Sequence, residues 1–187
     1  MNPKVVIILV GCLFYSLPAA AQQFDMTLSD ESAQIRYIIT SNGGFGNSEI
    51  DLGLLFTQEN DTVGMLGIQV VDEAGSGSPG LNVGLGAKGF IANTDSYDII
   101  ATAVGGQLRY APPSLNRFAV AASLFYAPGI VSFMDADNFL YTTTRLEYEV
   151  LAQAKVYLGY RRVTAKINNR SETTLDSDIH LGMQILF

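Results

Sequence analysis

Alternation between apolar and polar residues constrains the fold of this sequence more than any other feature. In residues 179–187 every odd-numbered position is apolar, whereas the even-numbered positions are mostly polar or small. The same rhythm recurs in residues 49–56, 81–88 and 155–161. A period of two places successive side chains on opposite faces of an extended strand. The pattern therefore predicts an all-β chain whose strands each carry one apolar face.

A soluble β-sandwich would show the same alternation, so other features must separate it from a membrane barrel. Several alternating segments run for about 10 to 14 residues, whereas soluble strands cluster near 5 or 6 and a membrane strand needs about 9 to 11. The polar face is rich in glycine and in charges of both signs, which suits a narrow lumen filled by ion pairs. Its charged residues are Arg36, Asp51, Lys88, Arg109, Arg145, Glu147, Glu149, Lys155 and Arg161.

The sequence also ends in the manner of an outer-membrane barrel. Phe187 closes an outward apolar row, as in the final strands that such barrels present to their assembly machinery. We therefore expect a closed antiparallel transmembrane β-barrel in the outer membrane. A soluble periplasmic sandwich is the alternative.

The first 21 residues have the composition of a cleavable secretory signal. A basic start at residues 1–4 precedes an apolar run of about 13 residues, too short for a membrane-spanning helix of about 20. Small residues follow at 19–21, so we expect cleavage after Ala21 and a barrel domain of residues 22–187. In a second interpretation, residues 9–12 form the box that precedes a bacterial lipoprotein cysteine, here Cys12.

Turn residues divide the remainder into about ten strands. They are expected near 24–29, 33–40, 47–58, 62–73, 80–92, 97–111, 116–127, 137–150, 153–166 and 174–187. Bacterial barrels have an even strand number and both termini in the periplasm. Periplasmic connections are then expected at 41–46, 74–79, 112–114 and 151–152, and outward-facing ones near Asp30 and at 59–61, 93–96, 128–136 and 168–173. Because the first hairpin is short for a membrane crossing, eight strands with an irregular segment is the alternative.

Composition excludes several classes of function. Asp and Glu outnumber Lys and Arg by 18 to 11, a net charge of -7, and an acidic surface repels nucleic acid. With Cys12 as its one cysteine and His180 as its one histidine, the chain forms no internal disulfide, cysteine-based zinc site or histidine-rich metal centre. We therefore predict no cofactor and no metal site.

Asp178 and His180 are the strongest candidates for catalysis, because they share the lumenal face of the last strand. A carboxylate and an imidazole can together activate a water molecule for lipid or peptide hydrolysis. No serine lies two residues from His180, so a serine-type deacylase is not indicated. We favour the alternative in which both residues join a lumenal ion-pair network, and we predict no catalytic residue and no enzyme.

Other acidic and glycine-rich segments have simpler interpretations. Asp135 and Asp137, in the longest outward loop, either bridge a divalent cation to lipopolysaccharide or form a solvated loop tip, which we favour. The glycine-rich residues 75–80 are predicted to be a turn, because they lack the lysine of a phosphate-binding loop. Glu147 and Glu149 resemble a catalytic carboxylate pair, but we expect them to be neutralised by cations on adjoining strands, namely Arg145, Lys155 and Arg161.

The expected barrel is too narrow for a general porin. Phe125, Phe139, Tyr141 and Tyr157 are predicted to point inward, and a ring of about ten strands leaves little space beyond its own side chains. We expect a monomeric barrel with a structural or surface-interacting role, and a narrow small-solute channel is the alternative. Its expected partners are outer-membrane lipid, lipopolysaccharide and, through Phe187, the barrel-assembly machinery.

Several segments resemble the YfaZ family of Gram-negative outer-membrane proteins. The most specific are Val-Val-Asp-Glu-Ala-Gly at 70–75 and Tyr-Ala-Pro-Gly-Ile-Val-Ser-Phe at 126–133, which are not general barrel patterns. The resemblance extends in order over 24–30, 67–75, 109–115, 126–133, 146–150 and 157–161. It implies a small barrel in the outer membrane, and it implies no activity and no catalytic residues.

Overall fold

The computed structural model describes residues 21–43, 46–58, 61–75, 77–93, 98–115, 117–134, 136–167 and 172–187. The predicted signal peptide up to residue 20, including Cys12, lies outside the described residues. Asp135 and most of the loops predicted at 59–61, 93–96 and 168–173 also lie outside them. Asp137 belongs to a strand, but its side chain is not described.

Eleven strands are present in the described part of the chain, and every pair of neighbours is antiparallel. They are β1 (Ala21–Leu28), β2 (Ser32–Gly43), β3 (Gly46–Thr57), β4 (Thr62–Glu73), β5 (Leu81–Asn93), β6 (Asp98–Tyr110), β7 (Phe118–Ala127), β8 (Ser132–Met134), β9 (Ala136–Leu151), β10 (Ala154–Ile167) and β11 (Glu172–Leu186). A 3-10 turn, Gly129–Val131, separates β7 from β8.

Pairing of β1 with β11 and of β5 with β6 closes the sheet into a barrel. The ring contains ten strands in the order β1, β2, β3, β4, β5, β6, β7, β9, β10, β11. This confirms the predicted closed ten-stranded barrel. The first hairpin belongs to the ring because β1 is paired with β2 over its whole length, so the eight-strand alternative is wrong.

The short strand β8 was not predicted, since residues 128–136 were expected to form a loop. β7 pairs with β6 only from Val104 to Tyr110. This leaves residues 99–101 of β6 without a β7 partner, and β8 pairs with them after the turn at Gly129–Val131. β8 therefore continues the β7 position of the ring, and pairing of a free strand edge explains why the chain is extended here.

Side chains alternate between the outside and the interior of the barrel, as the sequence predicts. Large apolar side chains that are at least half exposed lie on the outer faces of the strands. They include Leu66, Ile68, Val104, Val120, Leu124, Leu146, Leu158 and Leu181. The partly exposed rings of Tyr110, Tyr126, Tyr148 and Tyr160 also lie on this surface, as in the aromatic belts of membrane proteins. An apolar surface that surrounds the whole barrel is the wall that a transmembrane barrel presents to lipid.

Both ends of the barrel domain meet at one end of the barrel. The N–H of Gln22 donates a hydrogen bond to the Phe187 carbonyl at 3.2 Å, and the Phe187 N–H donates to the Gln22 carbonyl at 2.9 Å. We call this the terminal end, and we call the opposite end, which includes the β1–β2 connection, the loop end. Within the described residues no helix is long and apolar enough to cross a membrane.

The interior near the loop end is filled by a buried apolar cluster, which we call the distal core. It consists of Leu55, Val63, Met65, Phe90, Ala92, Ile99, Ala101, Ala103, Phe125, Ala127, Phe139, Tyr141, Val163, Ala165 and Leu175. The predicted inward orientation of Phe125, Phe139 and Tyr141 is thus confirmed, and Tyr157 is also buried. In contrast, the half of the interior near the terminal end is polar and contains the candidate site.

A β-bulge modifies the alternation at one place in the distal core. The register of β10 against β11 shifts between Val163 and Thr164, so that Thr174 follows Asp176 as the next partner residue. Leu175 and Asp176 are consequently both buried although they are adjacent in sequence. An extra residue in one strand of a pair has this local effect.

Candidate functional site

The polar half of the barrel interior encloses a cavity of about 400 Å³, which we call the cup. Lys88 and Tyr141 line its inner end beside the distal core, and the β9–β10 turn at residues 152–153 lies at its rim. Asn47 and Glu149 line the cup and are exposed to solvent. The cup is therefore accessible from the terminal end, the side expected to face the periplasm.

Asp51 forms the first of two ion-pair clusters in the cup. Its carboxylate accepts hydrogen bonds from Arg36 Nη2 at 2.6 Å and from Lys88 Nζ at 2.5 Å. Lys88 Nζ also lies 4.7 Å from the centroid of the Phe125 ring, a distance at which a cation is attracted by an aromatic face. Both Asp51 and Lys88 are buried, so this cluster lies at the boundary between the cup and the distal core.

Glu147 is the centre of the second cluster. Arg109 Nε, Arg145 Nε and Lys155 Nζ lie 2.8, 2.7 and 3.0 Å from its carboxylate oxygens. Arg145 also reaches Asp25 at 3.4 Å, and the Tyr157 hydroxyl donates to Asp25 at 2.6 Å. The expected neutralisation of Glu147 is thus confirmed for Arg145 and Lys155.

The prediction was wrong about the third cation. Arg161 does not bind Glu147, because its position along β10 places it in the distal half of the barrel, where it binds Asp176. Arg109 on β6 takes the third position around Glu147 instead. Glu149 lies near the rim and is exposed, whereas Glu147 is buried, so the two carboxylates occupy different environments.

Amide side chains, which were not predicted as site residues, complete the wall of the cup. Gln69 Nε2 donates to Glu49 at 2.6 Å, and Gln107 Nε2 donates to the same carboxylate at 3.3 Å. Gln184 donates to Gln23. The two-residue period could have identified them, since Gln69 and Gln107 alternate with apolar outward-facing residues just as the predicted charged residues do.

Two buried amide oxygens in the cup are without a hydrogen-bond partner in the described structure. They are Oε1 of Gln69 and Oε1 of Gln184. The side chains of both residues are almost entirely buried. A buried acceptor that finds no donor costs free energy, so native structures satisfy such atoms with water or a ligand.

The cup is electrically balanced although the whole chain carries a net charge of -7. Five cations line it, namely Arg36, Lys88, Arg109, Arg145 and Lys155, together with the acids Glu49 and Glu149. Three further acids, Asp25, Asp51 and Glu147, form ion pairs with these cations. Five positive and five negative charges therefore offset one another among the described residues. The excess acidic residues lie elsewhere in the chain.

Arg161 forms a separate polar network inside the apolar distal half. Its Nε donates to Asp176 at 2.6 Å, its Nη1 donates to Gln34 at 2.8 Å and its Nη2 donates to the Ser32 hydroxyl at 2.8 Å. The side chain is 1% exposed. A charge buried to this degree is tolerated because its donors are matched by nearby acceptors.

The structure does not bring Asp178 and His180 together as a catalytic dyad. The Asp178 carboxylate accepts a hydrogen bond from the Ser29 hydroxyl at 3.1 Å. The His180 ring stands edge-on to Tyr157 with 6.0 Å between centroids, and its Nδ1 has no hydrogen-bond partner in the described structure. The ion-pair role expected for His180 stays a prediction, and in the described structure its ring packs against an aromatic side chain.

The structure describes only part of the predicted glycine-rich turn and of the loop that contains Asp135 and Asp137. Residues 77–80 form turns as predicted, and Gly80 has a φ of 80°, a conformation that glycine adopts without strain. The proposed cation bridge through Asp135 and Asp137 lies outside the described side chains. Among the described residues no group of three His, Cys, Asp or Glu side chains is arranged to hold a metal ion.

A closed ten-stranded ring with an apolar outer wall and a polar interior at one end defines a β-barrel of the outer membrane. The YfaZ precursor family model matches residues 9–187. The chain therefore belongs to the YfaZ family, and the resemblance stated from its sequence is confirmed. No curated protein sequence matches the chain.

Several solved outer-membrane barrels are similar in fold. The KdgM porin in complex with disordered oligogalacturonate has 11% sequence identity and a TM-score of 0.46, with 89% of this chain and 99% of that chain covered. The outer membrane channel DcaP of Acinetobacter baumannii has 12% identity and a TM-score of 0.42, and the match covers 92% of this chain and 60% of that chain. Neisserial surface protein A has 12% identity and a TM-score of 0.37, and the match covers 90% of this chain and 94% of that chain. At such identities the likeness concerns the fold alone.

Proposed function

We propose that this protein is a closed barrel with a structural or surface-interacting role in the outer membrane. The observation that carries the proposal is the distal core, which fills the barrel interior near the loop end. Ions and polar solutes cross a membrane through a hydrated path, and a tightly packed apolar layer has no room for water.

The aromatic residues of the distal core form its tightest layer. The ring centroids of Phe90 and Phe139 are 4.6 Å apart, and those of Phe90 and Tyr141 are 5.5 Å apart. Phe90, Phe125 and Phe139 have no exposed surface. These three rings come from β5, β7 and β9, on one side of the ring. The distal core also includes residues of β3, β4, β6, β10 and β11, so it reaches across the lumen, which supports a closed barrel.

The proposal assigns no catalytic role to the barrel. It attributes function to the outer wall, which contacts lipid, and to the loop end, which faces the cell exterior if the termini are periplasmic. Lipid and lipopolysaccharide are the proposed partners. The barrel would act as a monomer, because each of the ten strands of the ring is already paired with two neighbours.

Single-channel recording in planar lipid bilayers tests this function. We expect the full chain to insert without discrete openings. A double variant, Phe90→Ala with Phe139→Ala, removes two rings from the tight layer and is expected to produce openings. The matched control is Phe118→Ala with Tyr148→Ala, an aromatic pair on the outer surface with centroids 5.0 Å apart, which should stay silent.

A narrow channel is the second candidate, and one observation favours it. The cup already provides a polar half-lumen from the terminal end, so only the distal core separates it from the loop end. Val131, in the interruption between β7 and β8, packs against this core, so a movement of that segment would loosen the layer. Discrete openings of the unmodified protein would support the channel and contradict the closed barrel.

A further inference from the structure

We propose that the cup binds a neutral, polyhydroxylated solute of one or two sugar rings, taken up from the terminal end of the barrel. This inference goes beyond the closed-barrel function and does not depend on it. The cavity of about 400 Å³ falls within the range of small-molecule sites, about 300 to 1,000 Å³. At about 30 Å³ per water molecule it has room for roughly a dozen waters, the space of a small hydrophilic solute.

The charge balance of the cup selects a neutral solute. Asp51 is held by Arg36 and Lys88, and Glu147 by three further cations. Each of these ionic groups already has a partner of opposite charge, and the five positive charges are offset by five negative ones. A ligand with a net charge would have to disrupt these pairs, whereas hydroxyl groups can hydrogen-bond to them without disturbing the balance.

Unpartnered acceptors indicate that the solute carries hydrogen-bond donors. Oε1 of Gln69 and Oε1 of Gln184 are buried without partners in the described structure, and both residues line the cup. Gln69 lies on β4 and Gln184 on β11, which are four positions apart in the ring of ten. The two oxygens therefore approach the cup from well-separated walls, so a solute with hydroxyl groups on both sides of a ring would satisfy both.

Donors and an apolar surface complete the site. Arg109 binds Glu147 through Nε, lines the cup and is the most exposed of the cup cations. Tyr141 belongs to the distal core and lines the inner end of the cup, where it gives the site an apolar boundary. Hydroxyl groups both donate and accept hydrogen bonds, so a polyol matches a wall that contains both kinds of partner.

Titration of the refolded full chain in detergent micelles with glucose and maltose tests the proposal. We expect saturable binding of at least one of the two sugars by calorimetry, and weaker binding of glucuronate and glucosamine at equal ionic strength. Gln69→Leu and Gln184→Leu are each expected to reduce affinity about fivefold, the size of one net hydrogen bond. Gln58→Leu is the matched control, because Gln58 is exposed at the loop end, and it should bind as the unmodified protein does.

Side-chain amide signals in NMR spectra separate a binding role from a purely structural one. Sugar binding should shift the amide signals of Gln69 and Gln184 and leave that of Gln58 unchanged. Electrophoretic mobility of unheated samples verifies that each variant is folded. An absence of saturable binding would show that the cup holds water only and would overturn the proposal, as would tighter binding of glucuronate than of glucose.

Discussion

Lys88 on β5 forms an ion pair with Asp51 on β3 although β4 lies between the two strands. The two charged atoms are 2.5 Å apart. Asp51 is in register with Gly67 on β4, and Gly67 is in register with Lys88. A Cβ on Gly67 would lie 3.0 Å from Lys88 Cγ, so the missing side chain lets the lysine cross above the middle strand.

The same arrangement recurs on the other side of the barrel. Tyr157 on β10 is in register with Gly182 on β11, and its hydroxyl donates to Asp25 on β1 at 2.6 Å. A Cβ on Gly182 would overlap the Tyr157 ring. Glycine on the inner face of a middle strand thus allows a long side chain to connect two strands that are not neighbours.

Replacement of Asp51 should destabilise the barrel more than replacement of its partner Lys88. Asp51→Asn leaves Arg36 and Lys88 close together without a counter-charge, and loss of one partner of a buried ion pair costs about 3 to 5 kcal/mol. Lys88→Met keeps the Arg36 pair with Asp51 and should cost clearly less. Urea unfolding in micelles, followed by circular dichroism because the chain has no tryptophan, measures both. Equal costs would contradict the central role of Asp51.

An added methyl group should lower the stability of the barrel at Gly182 but not at Gly89. Gly182→Ala forces the rigid Tyr157 ring to move, and we expect a cost of about 1 to 3 kcal/mol, as for other overpacked interiors. In Gly89→Ala the added Cβ meets only the Leu66 carbonyl oxygen, at 3.8 Å, so stability should change little. The same unfolding titration compares them, and equal stability of both variants would show that the ring does not depend on Gly182.

Arg161 should be essential for stability only while Asp176 is charged. Arg161→Met leaves that carboxylate without its 2.6 Å partner inside the distal half and is expected to cost about 3 to 5 kcal/mol. Adding Asp176→Asn to Arg161→Met should recover part of the loss, because the unpaired charge is removed. Arg117→Met serves as the control, since Arg117 is exposed. A double variant as unstable as Arg161→Met alone would contradict this account.

The assignment of the outer wall to lipid predicts an unusual cost for a polar substitution at an exposed position. Leu158 is 52% exposed, and surface substitutions in soluble proteins usually change stability by about 0.5 kcal/mol or less. Leu158→Arg should instead cost about 2 to 4 kcal/mol in lipid vesicles if the site is near the bilayer midplane. Gln153→Arg, in the exposed β9–β10 turn, should be tolerated. Equal tolerance at both sites would argue for a soluble barrel.

Phe187 should matter more for assembly in the cell than for the folded barrel. The residue is 63% exposed, whereas its backbone makes two hydrogen bonds with Gln22 that extend the pairing of β1 with β11. Phe187→Ala keeps this backbone pair, so we expect normal refolding from urea into micelles but reduced accumulation in the outer membrane. Quantification in membrane fractions, with Leu181→Ala on the same strand as control, tests it. Normal levels of the Phe187 variant would remove this residue as a recognition signal.

The strands of the ten-stranded ring and the two faces of each strand could be predicted from the sequence. Alternation is a local property, because each backbone pleat directs the next side chain to the opposite side. The outward row of residues 179–187 and the inward Phe125 and Tyr141 could therefore be predicted without knowledge of any contact. The local period fails at Leu175 and Asp176, where a bulge buries both residues.

Which residues share a site depends on how the strands are paired in the folded barrel. Asp51 and Lys88 are 37 residues apart, and their contact depends on the register of three strands, which no local pattern contains. The stagger between neighbouring strands also sets the position of each inward side chain along the barrel axis, and it separates the polar cup from the apolar distal core. For that reason Arg161 binds Asp176 rather than Glu147, and the Asp178 carboxylate accepts a hydrogen bond from Ser29, which follows β1.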